Sequence, residues 1–354
     1  MNRRNLLKIL ATASPLLFGS SYNKLDEYFY NELPDQENQL KKLKILPRGL
    51  APGKSKVAIT ATSSPLSAYE MKDALNFLKQ ENIAYEIGDT VKNNNSSYRY
   101  LSASDDDRAA EFMKYIVDDT IDCILCGRGG YGVLRILEKL DFATIRKNPK
   151  IIIGFSDVTA LISPIFEHTG LVTFHGPVAV SSFNSFTQNH FKEVLFSKDK
   201  FEPIVSIEPN AIVINEGKAR GVLKGGNLRM LVSTLGTPYE PNLDNSILFL
   251  EDVSEPAYKV DRMLSQLLLS GKLDNCKGII FGQFDSLNSR QAFHPGYSYT
   301  IKEVIEQLYS KLNIPIMVGM PFGHVKDKLT LPIGILSEIN TNNRSITILE
   351  RSVI

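Results

Sequence analysis

An excess of either charge is missing from this chain. Its 354 residues carry 40 lysines and arginines against 39 aspartates and glutamates, a net charge of +1. No global positive field exists to draw in nucleic acid or an anionic membrane surface. Cysteine is scarce as well: three residues, an odd number without the dense spacing of a stapled secreted domain, so packing must supply the stability. No run of about 18 uncharged apolar residues occurs, which excludes an obvious permanent membrane span. Internal repeats and low-complexity tracts are absent too. What is present is an ordinary globular composition, 43% hydrophobic and 22% charged, with ample material for a core. At about 150 residues per domain, the length suits two domains.

The first 21 residues read differently from the rest. Arg3, Arg4 and Lys8 form a basic start, an apolar stretch covers 9–18, and Gly19, Ser20 and Ser21 follow. That is the layout of an export signal, and the Arg3-Arg4-Asn5-Leu6-Leu7-Lys8 string resembles the twin-arginine type. Without this leader, which has three basic residues and no acid, the net charge becomes −2. The expected location is the periplasm, or the cytoplasm if the leader does not function. Residues 22–50 are polar, contain Pro34 and Pro47, and read as a linker and lead-in.

From Lys56 onward, short apolar runs alternate with helical patterns, the signature of an α/β fold around a mainly parallel sheet. Strands are expected over 56–62, 121–126 and 150–154. Helices are expected from Ser67, where Glu70 completes a capping box, from Ser104 with Asp105, Asp106 and Asp107 in its first turn, over 132–140, and over 157–168 with Pro164 inside. The pattern loosens over 176–218, which reads as a crossing between a domain at 51–175 and another at 219–354. The second half shows strands at 247–250, 278–281 and 316–318, helices at 258–269 and 299–312, and a closing hairpin whose turn is 340–343.

Several motifs carry chemistry. Gly127-Arg128-Gly129-Gly130-Tyr131-Gly132 satisfies G-x-G-x-x-G, but it follows a later strand and not the first, so a dinucleotide reading is poor. Its glycines still leave N–H groups facing a crevice, suited to any developing negative charge. Ile151-Ile152-Ile153-Gly154-Phe155-Ser156-Asp157 puts a serine between a buried strand and a helix, where either a nucleophile elbow or a helix N-cap belongs. A serine nucleophile needs a base, and the base an orienter.

The histidines are His168, His175, His190, His294 and His324. His168 sits at a helix end, and His190 and His294 in polar stretches. His175, ending an apolar strand, and His324, in a glycine-bounded loop, both stay open as the base. The strand at 247–250 runs into Glu251 and Asp252, so Ser156, Glu251 and His324 are one triad among several possible. Cys123 and Cys126 lie three apart on a strand, facing opposite sides, which reads as core and leaves no metal site.

Taken together, Cys126-Gly127-Arg128-Gly129-Gly130-Tyr131-Gly132, Gly154-Phe155-Ser156-Asp157-Val158-Thr159-Ala160-Leu161, Thr173-Phe174-His175-Gly176-Pro177, Gly225-Gly226-Asn227-Leu228, Leu250-Glu251-Asp252, Asp261-Arg262-Met263-Leu264 and Gly323-His324 resemble the LD-carboxypeptidase family of serine peptidases. These muramoyltetrapeptide carboxypeptidases include the microcin-immunity peptidases. The motifs run in family order within a body from about Leu46 to Glu350.

The resemblance implies a flavodoxin-like N-terminal domain, a smaller C-terminal α/β domain, a site between them, and a homodimer. It implies Ser156 as nucleophile, Glu251 and His324 as its partners, no cofactor, and a muropeptide substrate cut between an L-configured diamino residue and terminal D-alanine through an acyl-enzyme. The oxyanion donors are then the N–H of Asp157 and one from Gly129 or Gly130. Arg128 is the candidate for the substrate's carboxylate. The family also admits cleavage of a peptidyl-nucleotide antibiotic, and a wall-peptide or nucleotide-binding module with a dead triad is the remaining alternative.

Overall fold

Five short apolar runs form parallel strands: β1 (Lys56–Thr60), β2 (Ala84–Ile87), β3 (Cys123–Cys126), β4 (Ile151–Gly154) and β5 (Thr173–His175). They stand in the order β2-β1-β3-β4-β5, the flavodoxin-like arrangement, in which ligands bind beyond the carboxyl ends of the strands. The computed structural model describes residues 44–93, 96–197, 200–284 and 298–354. The leader, the lead-in up to residue 43, and His294 lie outside these residues.

Strands buried on both faces need no polar alternation, and β3 and β4 have none. Val57, Ile59, Cys123, Leu125, Ile151 and Ile153 pack on one face, and Ala58, Ile124, Cys126 and Ile152 on the other. The two cysteines therefore join separate cores. Burial raises both thiol pKa values, that of Cys126 to about 12.

The remaining strands are β6 (Ile204–Ile207), β7 (Ile212–Asn215), β8 (Lys218–Asn227), β9 (Ser246–Glu251), β10 (Gly278–Gly282), β11 (Ile316–Met320), β12 (Leu331–Ile333), β13 (Leu336–Asn340) and β14 (Ser345–Ile348). β12 returns to pair antiparallel with β5 at the edge of the first sheet. The other eight form a second sheet in the order β6-β14-β13-β8-β9-β10-β11-β7, with β8 to β11 parallel at its centre. The closing hairpin forms as expected from β13 and β14.

The helices are α1 (Lys72–Gln80), α2 (Asp89–Lys92), α3 (Asp105–Val117), α4 (Phe142–Lys147), α5 (Thr159–Thr169), α6 (Ser185–Leu195), α7 (Leu228–Thr234), α8 (Ala257–Leu269) and α9 (Ile301–Tyr309). Ser104 caps α3 by accepting the Asp107 N–H at 3.1 Å. α3 and α5 pack in the same core as Phe249, Ile280 and Met317 of the second sheet, while α8 and α9 cover that sheet's other face.

Two local expectations are corrected. Glu70 does take the N–H and hydroxyl of Ser67, at 2.8 and 3.1 Å, but this closes only a turn, and the α-helix starts at Lys72. The segment 132–140 is not one helix but two 3₁₀ turns, Val133–Arg135 and Leu137–Lys139. Its buried residues Val133, Ile136, Leu137 and Leu140 lie three apart in pairs, a spacing that 3₁₀ turns eclipse on one side. The loosened stretch contains α6, capped by Asn184, and the strands β6 and β7.

Candidate active site

β4 drives an apolar strand to Gly154, Phe155 is extended, and Ser156 then adopts φ +64°. A non-glycine residue in the left-handed region costs about 1–3 kcal/mol and persists only where its surroundings hold it. The strained turn lifts the hydroxyl off the sheet before Thr159 opens α5. The helix-cap alternative fails: Val158 holds the N-cap position, and Ser156 caps nothing among the described residues.

The glycine turn after β3 presses against this serine. A Cβ on Gly129 would lie 2.7 Å from the Ser156 Cβ and 2.8 Å from its Oγ. One on Gly130, at φ +106°, would lie 2.2 Å from the Ser64 Oγ. Ser64 donates its N–H to the Gly129 carbonyl at 3.3 Å and accepts the Tyr131 N–H at 3.2 Å. Because the peptide is trans, the Gly130 N–H points away from Ser64.

Behind the turn, the buried Asp157 carboxylate accepts the Val133 N–H at 3.0 Å. Burial raises its pKa against the opposing charge of Arg108. Arg108, wholly buried, donates to the carbonyls of Thr62 and Gly132 and to Asp105. The loops that follow β1, β3 and β4 are thus tied together. The glycine motif opens onto 3₁₀ turns, so the long helix N-terminus that a dinucleotide's pyrophosphate uses is lacking there.

A carboxylate–imidazole pair comes from the second sheet. Glu251 ends β9, fully buried, and its Oε2 lies 2.7 Å from Nδ1 of His324 in the loop after β11. Gly323, at φ +89°, leaves room for this pair: a Cβ there would stand 2.4 Å from the Glu251 Oε2. Burial pushes the Glu251 pKa up, but the hydrogen bond and charge of His324 outweigh it and hold the carboxyl below its ordinary range. Asp252, next in the chain, is pushed up by burial and by Glu251.

Asn227, which the sequence showed only as part of the Gly225-Gly226-Asn227-Leu228 motif and without a role, caps α7 by accepting the Met230 N–H, and donates Nδ2 to Glu251 at 3.3 Å and to Asp252 at 3.1 Å. Its own N–H donates to Thr159 Oγ1 at 3.0 Å, joining the two sheets' elements at the site. An asparagine before an apolar helical run was a legible cap signal. Sequence reasoning passed over Lys328, buried, whose ammonium donates to the Val325 carbonyl and lies 5.6 Å from the ring centroid of Phe155. Nothing in the sequence marked it.

The histidines now separate. His324 lines a cleft of about 430 Å³ together with Ser156, Ser64, Gly129, Gly130 and Arg128. Its ring meets that of Phe155, the residue before Ser156, edge-on at 4.7 Å between centroids. No direct hydrogen bond joins the Ser156 Oγ to His324, a contact that often tightens only when substrate binds. His175 is buried among Phe155, Phe249 and Phe322, and neither of its ring nitrogens has a partner. Burial lowers its pKa to about 4. His168 contacts the Pro238 carbonyl and His190 faces Glu193, both away from the cleft lining.

Arg128 does line the cleft, but its Nη1 donates to Glu70 at 3.1 Å and to the Pro65 carbonyl at 3.2 Å. Its charge is countered within the protein. Among the described residues no group of three histidine, cysteine or acidic side chains stands close enough to hold a metal, and no helix is long and apolar enough to cross a membrane.

The chain matches the family models of the LD-carboxypeptidase N-terminal domain over residues 57–176 and C-terminal domain over 220–339. It is 34% identical over 307 residues to a probable murein peptide carboxypeptidase of Bacillus subtilis, covering 85% of this chain and 93% of that protein. Among solved structures it resembles muramoyltetrapeptide carboxypeptidase from Oxalobacter formigenes, with a TM-score of 0.72 and 29% identity over 84% of this chain and 99% of that one. It also resembles MccF in complex with glutamyl sulfamoyl guanosine, with a TM-score of 0.78 and 27% identity over 87% and 99%.

Proposed function

The chain belongs to the LD-carboxypeptidase family, and from that premise we propose that it is a serine-type peptidase that removes the terminal D-alanine from murein tetrapeptides. Membership supports a carboxypeptidase acting on murein peptides. The finer reading rests on one juxtaposition: a strained serine and a carboxylate-paired imidazole line one cleft.

With Nδ1 of His324 engaged by Glu251, Nε2 is left as the proton acceptor. Ser156 Oγ attacks the carbonyl between the L-configured diamino residue and D-alanine, and His324 takes the hydroxyl proton. The carbonyl oxygen gathers negative charge opposite the N–H groups of Asp157 and Gly130 or Gly129. As the tetrahedral intermediate collapses, the C–N bond breaks and His324 returns the proton to the leaving amine of D-alanine. Water, deprotonated by the same imidazole, then cleaves the acyl-enzyme and frees Ser156. Glu251 fixes the tautomer and stabilises the imidazolium throughout.

Arg128, countered by Glu70, faces the substrate as a directional donor. The Arg3-Arg4 leader supports placing the enzyme outside the inner membrane, and the family resemblance supports a homodimer. The test is release of D-alanine from purified tetrapeptide. Ser156→Ala is expected to reduce kcat by about 10⁶-fold, and unchanged release would remove the proposed nucleophile.

A further inference from the structure

One feature of the cleft has no part in bond cleavage. Tyr100 lines it yet is 58% exposed, so it stands at the mouth. Tyr131, 50% exposed, meets it edge-on, with ring centroids 5.3 Å apart and planes at 83°. Neither hydroxyl has a protein partner among the described residues. Two neighbouring rings left in water form the kind of exposed apolar patch that marks a binding surface.

The pair is also held in place. Tyr131 follows Gly130, its N–H bonded to Ser64, so the ring is tethered by backbone to the turn that presses on Ser156. On the same rim stands the Arg128–Glu70 ion pair, 3.1 Å apart and about two-fifths exposed on each side.

We infer that Tyr100 and Tyr131 form a subsite for the amino-sugar ring of a muramoyl-peptide substrate, an inference that rests on the murein reading above. Two observations select a sugar over a nucleobase. The perpendicular rings offer one open face and one edge, not the parallel slot that sandwiches a flat base. A puckered sugar can lay its C–H face on a single ring while its hydroxyl and acetamido groups reach the tyrosine hydroxyls. Both arginines near the pair already face a carboxylate, Arg128 that of Glu70 at 3.1 Å and Arg135 that of Asp105 at 2.9 Å, which favours a neutral polar ring over a phosphate.

The experiment is calorimetric titration of the full chain with N-acetylmuramoyl-L-alanyl-D-isoglutamine, which lacks the scissile bond, with the same dipeptide without its sugar, and with adenosine monophosphate. Native protein is expected to bind the sugar-bearing ligand about tenfold tighter than the bare dipeptide. The doubly substituted Tyr100→Ala, Tyr131→Ala protein should lose that ratio, and Tyr100→Phe, Tyr131→Phe should keep most of it. Both positions are exposed, so the substitutions leave the core intact.

Equal affinities in the native protein, or a ratio that survives the alanine pair, would overturn the subsite. Binding of the nucleotide that the alanine pair abolishes would overturn it in favour of a base. D-alanine release measured on the same preparation separates the two levels. A sugar preference without release sinks only the hydrolase, and release without a sugar preference sinks only the subsite.

Discussion

Ser156 is positioned by backbone, whereas His324 is positioned by side chains. On the first sheet, the reactive hydroxyl is aimed by a left-handed φ and by two glycines whose missing Cβ atoms make room for it and for Ser64. On the second, a buried carboxylate, an asparagine amide and an imidazole hold one another by hydrogen bonds. Backbone geometry survives the loss of a neighbouring side chain, but a hydrogen-bonded relay does not. The two halves should therefore fail in different ways.

The sharpest break falls on the relay. Glu251→Gln keeps the shape but presents an amide to Nδ1, favouring the wrong tautomer, and kcat should fall by about 10⁴-fold with little change in KM. Steady-state release of D-alanine reads this directly. Turnover within tenfold of native would show that the imidazole is oriented by something else.

A single methyl distinguishes the halves next. Gly323→Ala meets both obstacles, a φ of +89° and the Glu251 Oε2 at 2.4 Å. It should cost about 1–3 kcal/mol in a denaturant titration and about 10²-fold in kcat. Gly129→Ala has no positive φ to adopt, and the nearest atoms its methyl meets are those of Ser156 and the Asp157 backbone nitrogen. Activity should fall comparably, with a smaller loss of stability. Equal stability losses in the two variants would erase the distinction drawn between the halves.

These two glycines also show how much was readable in advance. The apolar runs of β3, β4 and β9 announced buried parallel strands, and the residues at their ends are the ones proposed to act. Glycine beside serine and glycine before histidine were visible as motifs, though their steric reason needed the fold: a Cβ conflict lies between residues 27 and 72 positions apart, Gly129 with Ser156 and Gly323 with Glu251. The two 3₁₀ turns after Gly132 were read as one helix, because apolar residues three apart suit either form. Lys328 was invisible, since its meaning lies in the Phe155 ring it covers across the chain.

The nucleophile's sheet also holds a buried spectator, His175 at the end of β5, packed against Phe249 and Phe322 of the relay half. Below pH 6.5 the unfolded chain protonates His175 while the folded one, with this group lowered to about 4 by burial, does not. Stability should therefore fall as pH drops from about 6.5 towards 4, by about 3 kcal/mol from this residue. Glu251 acts in a different window: its depressed carboxyl contributes fully above 4.5 and is lost only as pH falls through its lower folded value. A loss between pH 6.5 and 5 thus belongs to the buried histidines, His175 and, through the same burial effect, His190, and not to the carboxylate of Glu251. Thermal unfolding of His175→Leu should show a flatter pH dependence over that interval, and an unchanged slope would refute the assignment.

The smallest effect is expected at the rim of the nucleophile half. Glu70 and Arg128 are each about two-fifths exposed, so water and salt screen their attraction, and such pairs contribute below about 1 kcal/mol. Glu70→Gln also keeps an acceptor for the Ser67 N–H that the carboxylate now takes. Denaturant midpoints should move little, and less still at high salt. A loss beyond about 1 kcal/mol would mean that Arg128, through its bond to the Pro65 carbonyl, braces the Gly129 turn from the solvent side as Arg108 and Asp157 do from behind.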